Sequence, residues 1–100
     1  MALFRVMRES ELAEGMVRGA LAGKKKVALA RVGNKIYCFD HICPHMGGPL
    51  GEGAMEGNDV KCPWHGNKFD VKTGQCTTLP ALKVAIFSVT VKDGDIYVEV

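Results

Sequence analysis

No stretch of this chain approaches the ~20 consecutive apolar residues that a membrane-spanning helix requires, and residues 1–10 lack the apolar core of a secretory signal. The expectation is a soluble cytoplasmic protein without a membrane partner. Charge of one sign is missing too. Thirteen Lys and Arg against eleven Asp and Glu leave a formal charge of +2 and a pI near 8.4, which makes no electrostatic case for a nucleic acid partner. There is no Ser-His-Asp set, phosphate-binding loop or paired-carboxylate arrangement in a context that would support catalysis. The chain is therefore not expected to be an enzyme. Internal repeats and low-complexity linkers are absent, and one hundred residues suffice for a single domain over 1–100.

What is present is glycine between short β-branched and aromatic runs, with turn signals at Gly33-Asn34, Gly57-Asn58-Asp59, Thr73-Gly74 and Asp93-Gly94. The pattern is all-β. It predicts strands over 3–7, 26–32, 35–39, 59–61, 69–71, 84–91 and 95–100. In the last two, Ala85, Phe87, Val89 and Val91 alternate onto one face and Ile96, Val98 and Val100 onto another. Lys92-Asp93-Gly94-Asp95 joins them as a hairpin. Residues 10–22 combine helix-forming Glu11-Leu12-Ala13-Glu14 with interrupting Gly15 and Gly19, so a turn is expected there, with a short strand near 16–18. Lys24-Lys25-Lys26 is the only basic run and reads as a solvated turn between strands or, in the sharper alternative, a docking site for an acidic redox partner.

Residues 41–69 differ from their flanks, being dense in Gly, Pro and polar residues. Within them lie Cys43-Pro44-His45 and, after a gap of sixteen residues, Cys62-Pro63-Trp64-His65. Two thiols and two imidazoles from two short loops point to a metal centre. Thiolate suits iron-sulfur chemistry or zinc, and imidazole suits iron, zinc or copper. A finger-type zinc site groups its like ligands in pairs, whereas each loop here carries one Cys and one His. Two such loops can face each other across a two-iron cluster, with thiolates on one iron and imidazoles on the other. Cys38, within an apolar run, and Cys76 read as buried packing thiols. His41 reads as a turn or surface residue, because four ligand positions are already filled.

The C-x-H, sixteen-residue gap, C-x-x-H pattern resembles the Rieske family. His45-Met46-Gly47-Gly48-Pro49-Leu50 is similar to its first cluster loop and His65-Gly66-Asn67-Lys68-Phe69-Asp70 to its second. Thr73-Gly74 looks like its hairpin turn, and Leu79-Pro80-Ala81 like the proline loop that covers the cluster. The resemblance implies an antiparallel β-sandwich with a small inserted cluster-binding subdomain at about 41–69. It also implies one 2Fe-2S cluster held by Cys43, His45, Cys62 and His65, with the two histidines as the electron's exit. Pro44 and Pro63 would stiffen the loops, while Gly47, Gly48 and Gly66 would let backbone amides approach the sulfides. Met46, Leu50, Trp64 and Pro80 would shield the cluster or form a docking patch.

Respiratory members of the family carry an extra cysteine in each loop, forming a disulfide, and hydroxyl donors after the second histidine. Gly48 and Trp64 occupy the first two positions here, and Asn67 and Phe69 the others. The resemblance thus implies a ferredoxin-type centre in the lower part of a family range of roughly −150 to +300 mV, with a midpoint that becomes more negative at alkaline pH as metal-bound imidazoles lose protons. The function implied is a one-electron carrier, taking electrons from a flavin-dependent reductase and passing them to an oxygenase or other acceptor. The alternatives are a small subunit of an oxidoreductase complex such as nitrite reductase, and a structural zinc module.

Overall fold

The computed structural model describes residues 2–45, 47–64 and 66–100. Among them, nine strands follow in order: β1 (Leu3–Arg8), β2 (Val17–Ala22), β3 (Lys25–Val32), β4 (Lys35–Asp40), β5 (Ala54–Glu56), β6 (Asp59–Lys61), β7 (Lys68–Asp70), β8 (Ile86–Lys92) and β9 (Asp95–Glu99). Single 3-10 turns occupy Glu9–Glu11 and Leu50–Glu52. Six strands form one antiparallel sheet in the order β1-β9-β8-β4-β3-β2, and β5-β6-β7 form a second. The all-β expectation holds.

The base sheet is built from local hairpins whose turns are written in the chain. Between β8 and β9, Asp93 (φ 53°) and Gly94 (φ 80°) both take left-handed conformations, with Lys92 and Asp95 paired on either side. Two central residues at positive φ match the right-handed twist of the flanking strands, and Asp-Gly adopts that geometry readily. Ile96 and Val98 are fully buried as their alternation predicts. On β8, Phe87 and Val89 are half-buried, whereas Val91 at the strand end is exposed.

β3 is buried on both faces through its middle, and its side chains divide two cores by size. Val27 and Leu29 face Met7, Ile96 and Val98 in the core of the base. Ala28 and Ala30 face Phe39, Val60 and Phe69 in a second core shared with β6 and β7. Period-two alternation explains the division, and the small alanines let the second sheet approach closely. On β4 the neighbours Cys38 and Phe39 separate in the same way, one to each core.

Strands β4 and β8 are hydrogen-bonded neighbours, yet 45 residues, 41–85, separate them in sequence. That insertion contains both Cys-His loops, the three-stranded sheet and a further loop at 77–82, so it runs beyond the expected 41–69. Three local expectations change. β2 is a full strand through Gly19, because it pairs along its length with β3 and because a Cβ at Gly19 would lie 3.0 Å from His41 Cε1. β5, absent from the sequence expectation, exists because Gly57 (φ 64°) turns the chain so that Met55 pairs with Val60. β8 begins at Ile86 rather than 84, since Val84 N–H donates to Gly74 O (2.8 Å), within the insertion.

Candidate metal centre

The two ligand loops are the same turn built twice. In the first, Cys43 N–H donates to Gly48 O (2.8 Å) and Cys43 O accepts from Gly47 N–H (2.8 Å). In the second, Cys62 N–H donates to Asn67 O (2.8 Å) and Cys62 O accepts from Gly66 N–H (3.1 Å). Each turn places proline directly after the cysteine. Each closes through glycine at left-handed φ, 78° at Gly47 and 76° at Gly66, which a side chain would resist. The histidines break the symmetry: His45 stands second after its cysteine and His65 third after its own. His45 is exposed, whereas Cys43 and Cys62 are each only 2% exposed. His65 and Met46 lie outside the described residues.

The turns meet at Gly48. A Cβ there would stand 2.8 Å from Cys62 Sγ and 3.1 Å from Trp64 Cγ, so the first loop rests its bare backbone on the thiol and indole of the second. This also shows positions 48 and 64 to be neighbours, with a glycine–indole contact between the loops. Trp64 remains 57% exposed, and Ile42 and Leu79 are exposed as well. Leu50, by contrast, is fully buried; it packs in the second core and is unavailable to a docking patch. Pro80 is exposed.

Different supports hold the two turns. The first is tied to the base: Ile42 and Pro49 form an antiparallel bridge at its neck, and Asp40 Oδ1 accepts from Ile42 N–H (3.0 Å). His41 closes the neck with both of its acceptors, O from Leu50 N–H (2.8 Å) and Nδ1 from Gly51 N–H (3.2 Å). His41, expected as a turn or surface residue, sits in a bend but is half-buried against β2, where it acts as a clasp. The second turn leans on the 77–82 loop. Thr78 Oγ1 donates to Asn67 Oδ1 (3.0 Å), and Thr77 N–H donates to Lys68 O (2.7 Å). Gln75 Nε2 gathers the carbonyls of Cys76 (3.2 Å), Pro80 (2.8 Å) and Leu82 (3.1 Å).

Cys38 and Cys76 are buried free thiols, in line with their expected packing roles. Burial, with a smaller contribution from Asp40, pushes the Cys38 thiol up to about 12, so it stays protonated. Cys76 Sγ accepts from Leu79 N–H (3.2 Å) and anchors the 77–82 loop. Lys24, Lys25 and Lys26 are exposed. Lys25 pairs with Asp40 (3.0 Å) and lies over the Phe87 ring.

Two buried soft donors at the inner ends of matched turns, with an imidazole at the exposed side, suit a cluster whose thiolate-held iron lies inward and whose imidazole-held iron lies outward. The Gly48 contact leaves no side chain between the thiol of one loop and the backbone of the other. The donor set therefore fits a split-ligand 2Fe-2S centre.

Comparison with known proteins agrees. The family description "Rieske [2Fe-2S] domain" matches residues 2–93, and the chain belongs to that family. Ferredoxin CarAc of Metapseudomonas resinovorans is 33% identical over 94% of this chain and 90% of its own length. The ferredoxin component of the naphthalene 1,2-dioxygenase/salicylate 5-hydroxylase systems of a Ralstonia species is 36% identical over 73% of this chain and 70% of its own. A chain in the solved complex of reduced oxygenase and oxidised ferredoxin of carbazole 1,9a-dioxygenase superposes with a TM-score of 0.87 at 33% identity, covering 96% of this chain and 91% of that one. The fold is thus that of a Rieske domain, the cofactor one Rieske 2Fe-2S cluster, and the protein an electron carrier rather than a catalyst.

Proposed function

We propose that Cys43, Cys62, His45 and His65 hold the cluster, thiolates on one iron and imidazoles on the other, and that the protein carries single electrons from a flavin-dependent reductase to a terminal oxygenase. The observation that carries this reading is the duplicated turn, which sets two buried thiols at equivalent positions and brings the loops together at Gly48. When bound, the cluster supplies reversible storage of one electron. The chain's own residues confine it: the left-handed glycines fix the turns, the base sheet anchors the first loop and Gln75 shapes the loop beside the second. Ile42, Trp64 and Leu79 give this end of the molecule exposed apolar side chains suited to a transient partner. Among the described residues no helix is long and apolar enough to cross a membrane, which is compatible with work in the cytoplasm. The single-domain reading rests on β4 and β8 pairing across the insertion and on the core that both sheets share.

Reconstitution tests the proposal. The purified chain is expected to be reddish-brown, to contain iron and acid-labile sulfide, and to restore oxygenase turnover when added to a flavin-dependent reductase and a terminal oxygenase. Cys43→Ser and His45→Ala should each abolish the native cluster spectrum. Colourless protein with one zinc would overturn the ligand assignment, and isolation only as a tight complex would favour the oxidoreductase subunit. In the absence of the disulfide and hydroxyl donors, protein-film voltammetry should place the midpoint below about +200 mV, outside the upper part of the family range.

A further inference from the structure

The single turn Leu50–Glu52 is clamped by glycine on both sides. A Cβ at Gly51 would stand 2.7 Å from Gly19 Cα on β2, and one at Gly53 would collide with Lys61 O on β6. Bare backbone thus seats the turn against both sheets, and the fold fixes the place of Glu52 between the two glycines. Glu52 lines two adjoining open cavities. The first, about 400 Å³, takes in Gly19, Leu21, Lys26 and the His41 ring. The second, about 250 Å³, takes in Gly53, Lys61, Gly66 and the Cys62 turn.

Charges of alternating sign therefore line the pair: Lys26 in the first cavity, Glu52 in both and Lys61 in the second. None is closely committed elsewhere. Lys26 and Glu52 make no ion pair among the described residues, and it is the neighbouring Lys25 that takes Asp40. Lys61 stands 3.9 Å from Glu56, whose carboxylate is already held by Lys68 at 2.7 Å. Gly19, Gly53 and Gly66 present no side chain, so a second main chain can come close.

We infer that this flank is a docking surface for an extended segment of a partner protein whose side chains read acidic, basic, acidic in order. Its two carboxylates meet Lys26 and Lys61, and the lysine or arginine between them meets Glu52. A purely acidic segment would set like charge against Glu52, and a basic one would be repelled at both ends. The surface uses none of Ile42, Trp64 and Leu79, so it is separate from the apolar end assigned to the electron-transfer partner. It is also independent of the ligand assignment.

The test uses cluster-loaded protein at low salt and fluorescein-labelled peptides Glu-Lys-Glu, spaced by one, two or three glycines, with sign-inverted Lys-Glu-Lys peptides as counterparts. Fluorescence anisotropy reads binding. At least one spacing of the first set should bind saturably, about tenfold more tightly than its inverted counterpart, and lose affinity as salt is added. Lys26→Glu and Lys61→Glu should each weaken it about fivefold. Combining both with Glu52→Lys should reverse the preference, so that the inverted peptide binds more tightly. All three side chains are exposed, and the visible spectrum checks that each variant keeps its cluster. Should the triple variant fail to load, the two single variants decide. Equal binding of both peptide sets, no saturable binding at any spacing, or unchanged affinity in the single variants overturns the inference and leaves the electron-carrier reading intact.

Discussion

The two ligand loops share one backbone turn and differ in what stands behind it. The first is bolted to the base sheet through His41, Asp40 and the Ile42–Pro49 bridge. The second rests on the irregular 77–82 loop, whose shape depends on side chains, Gln75 and Thr78 above all. A stiff partner and a tunable partner therefore face each other at Gly48. Asp40 Oδ1 and His41 Nδ1 reach the first turn from the end of β4, whereas Gln75 and Thr78 act on a loop outside the strands. The same turn can thus act as a reference on one side and as an adjustable element on the other.

The largest expected effect comes from breaking the junction itself. Gly48→Ala puts a methyl group 2.8 Å from Cys62 Sγ, and overpacking of this kind typically costs about 1–3 kcal/mol. Here it falls on Cys62, a ligand in the proposed assignment, so iron and sulfide analysis should show most of the cluster lost. His41→Ala attacks the stiff side. It leaves Gly51 N–H without its acceptor and should cost about 2 kcal/mol in denaturant unfolding, with His41→Asn recovering part of the loss by offering an oxygen.

Gln75→Ala attacks the adjustable side, where the freed carbonyls can reach water. A loss of about 1 kcal/mol is expected, together with faster proteolysis within 77–82. Such cleavage, absent from the His41 variant, would establish that the supports act separately; equal cleavage in both would merge them.

The smallest effect belongs to the ion pair that ties β5 to β7. Lys68 Nζ lies 2.7 Å from Glu56 Oε1, holding the Glu56 carboxyl below its ordinary value and raising the Lys68 ammonium. A carboxyl depressed by folding contributes stability above its unfolded pKa and loses it as pH falls through the folded value. Glu56→Gln should therefore flatten the acid side of the stability curve slightly and leave the neutral melting temperature almost unchanged, as expected for an exposed pair.

The iron-sulfur family was legible because metal chemistry needs particular side chains at fixed spacing, and the base strands because alternation of Ile96 and Val98 records a buried face. β5 was not legible. Ala54-Met55-Glu56 has no strand pattern of its own and becomes a strand only because Gly57 folds it onto Val60. His41 and Gln75 were missed for a related reason: their partners are fixed by the fold, and nothing in the local sequence signals them. A histidine beside a ligand loop carries no mark separating surface from clasp. The β2 strand was hidden by Gly19, whose missing side chain reads as a break until the His41 ring is seen against it.

Trp64 is the only tryptophan in the chain, and its indole touches the backbone where the two loops meet. The intrinsic ultraviolet emission of the protein therefore comes chiefly from the junction between the two loops. Excitation near the indole band becomes a label-free gauge of maturation. Emission should be quenched while iron is in place and recover as the metal leaves.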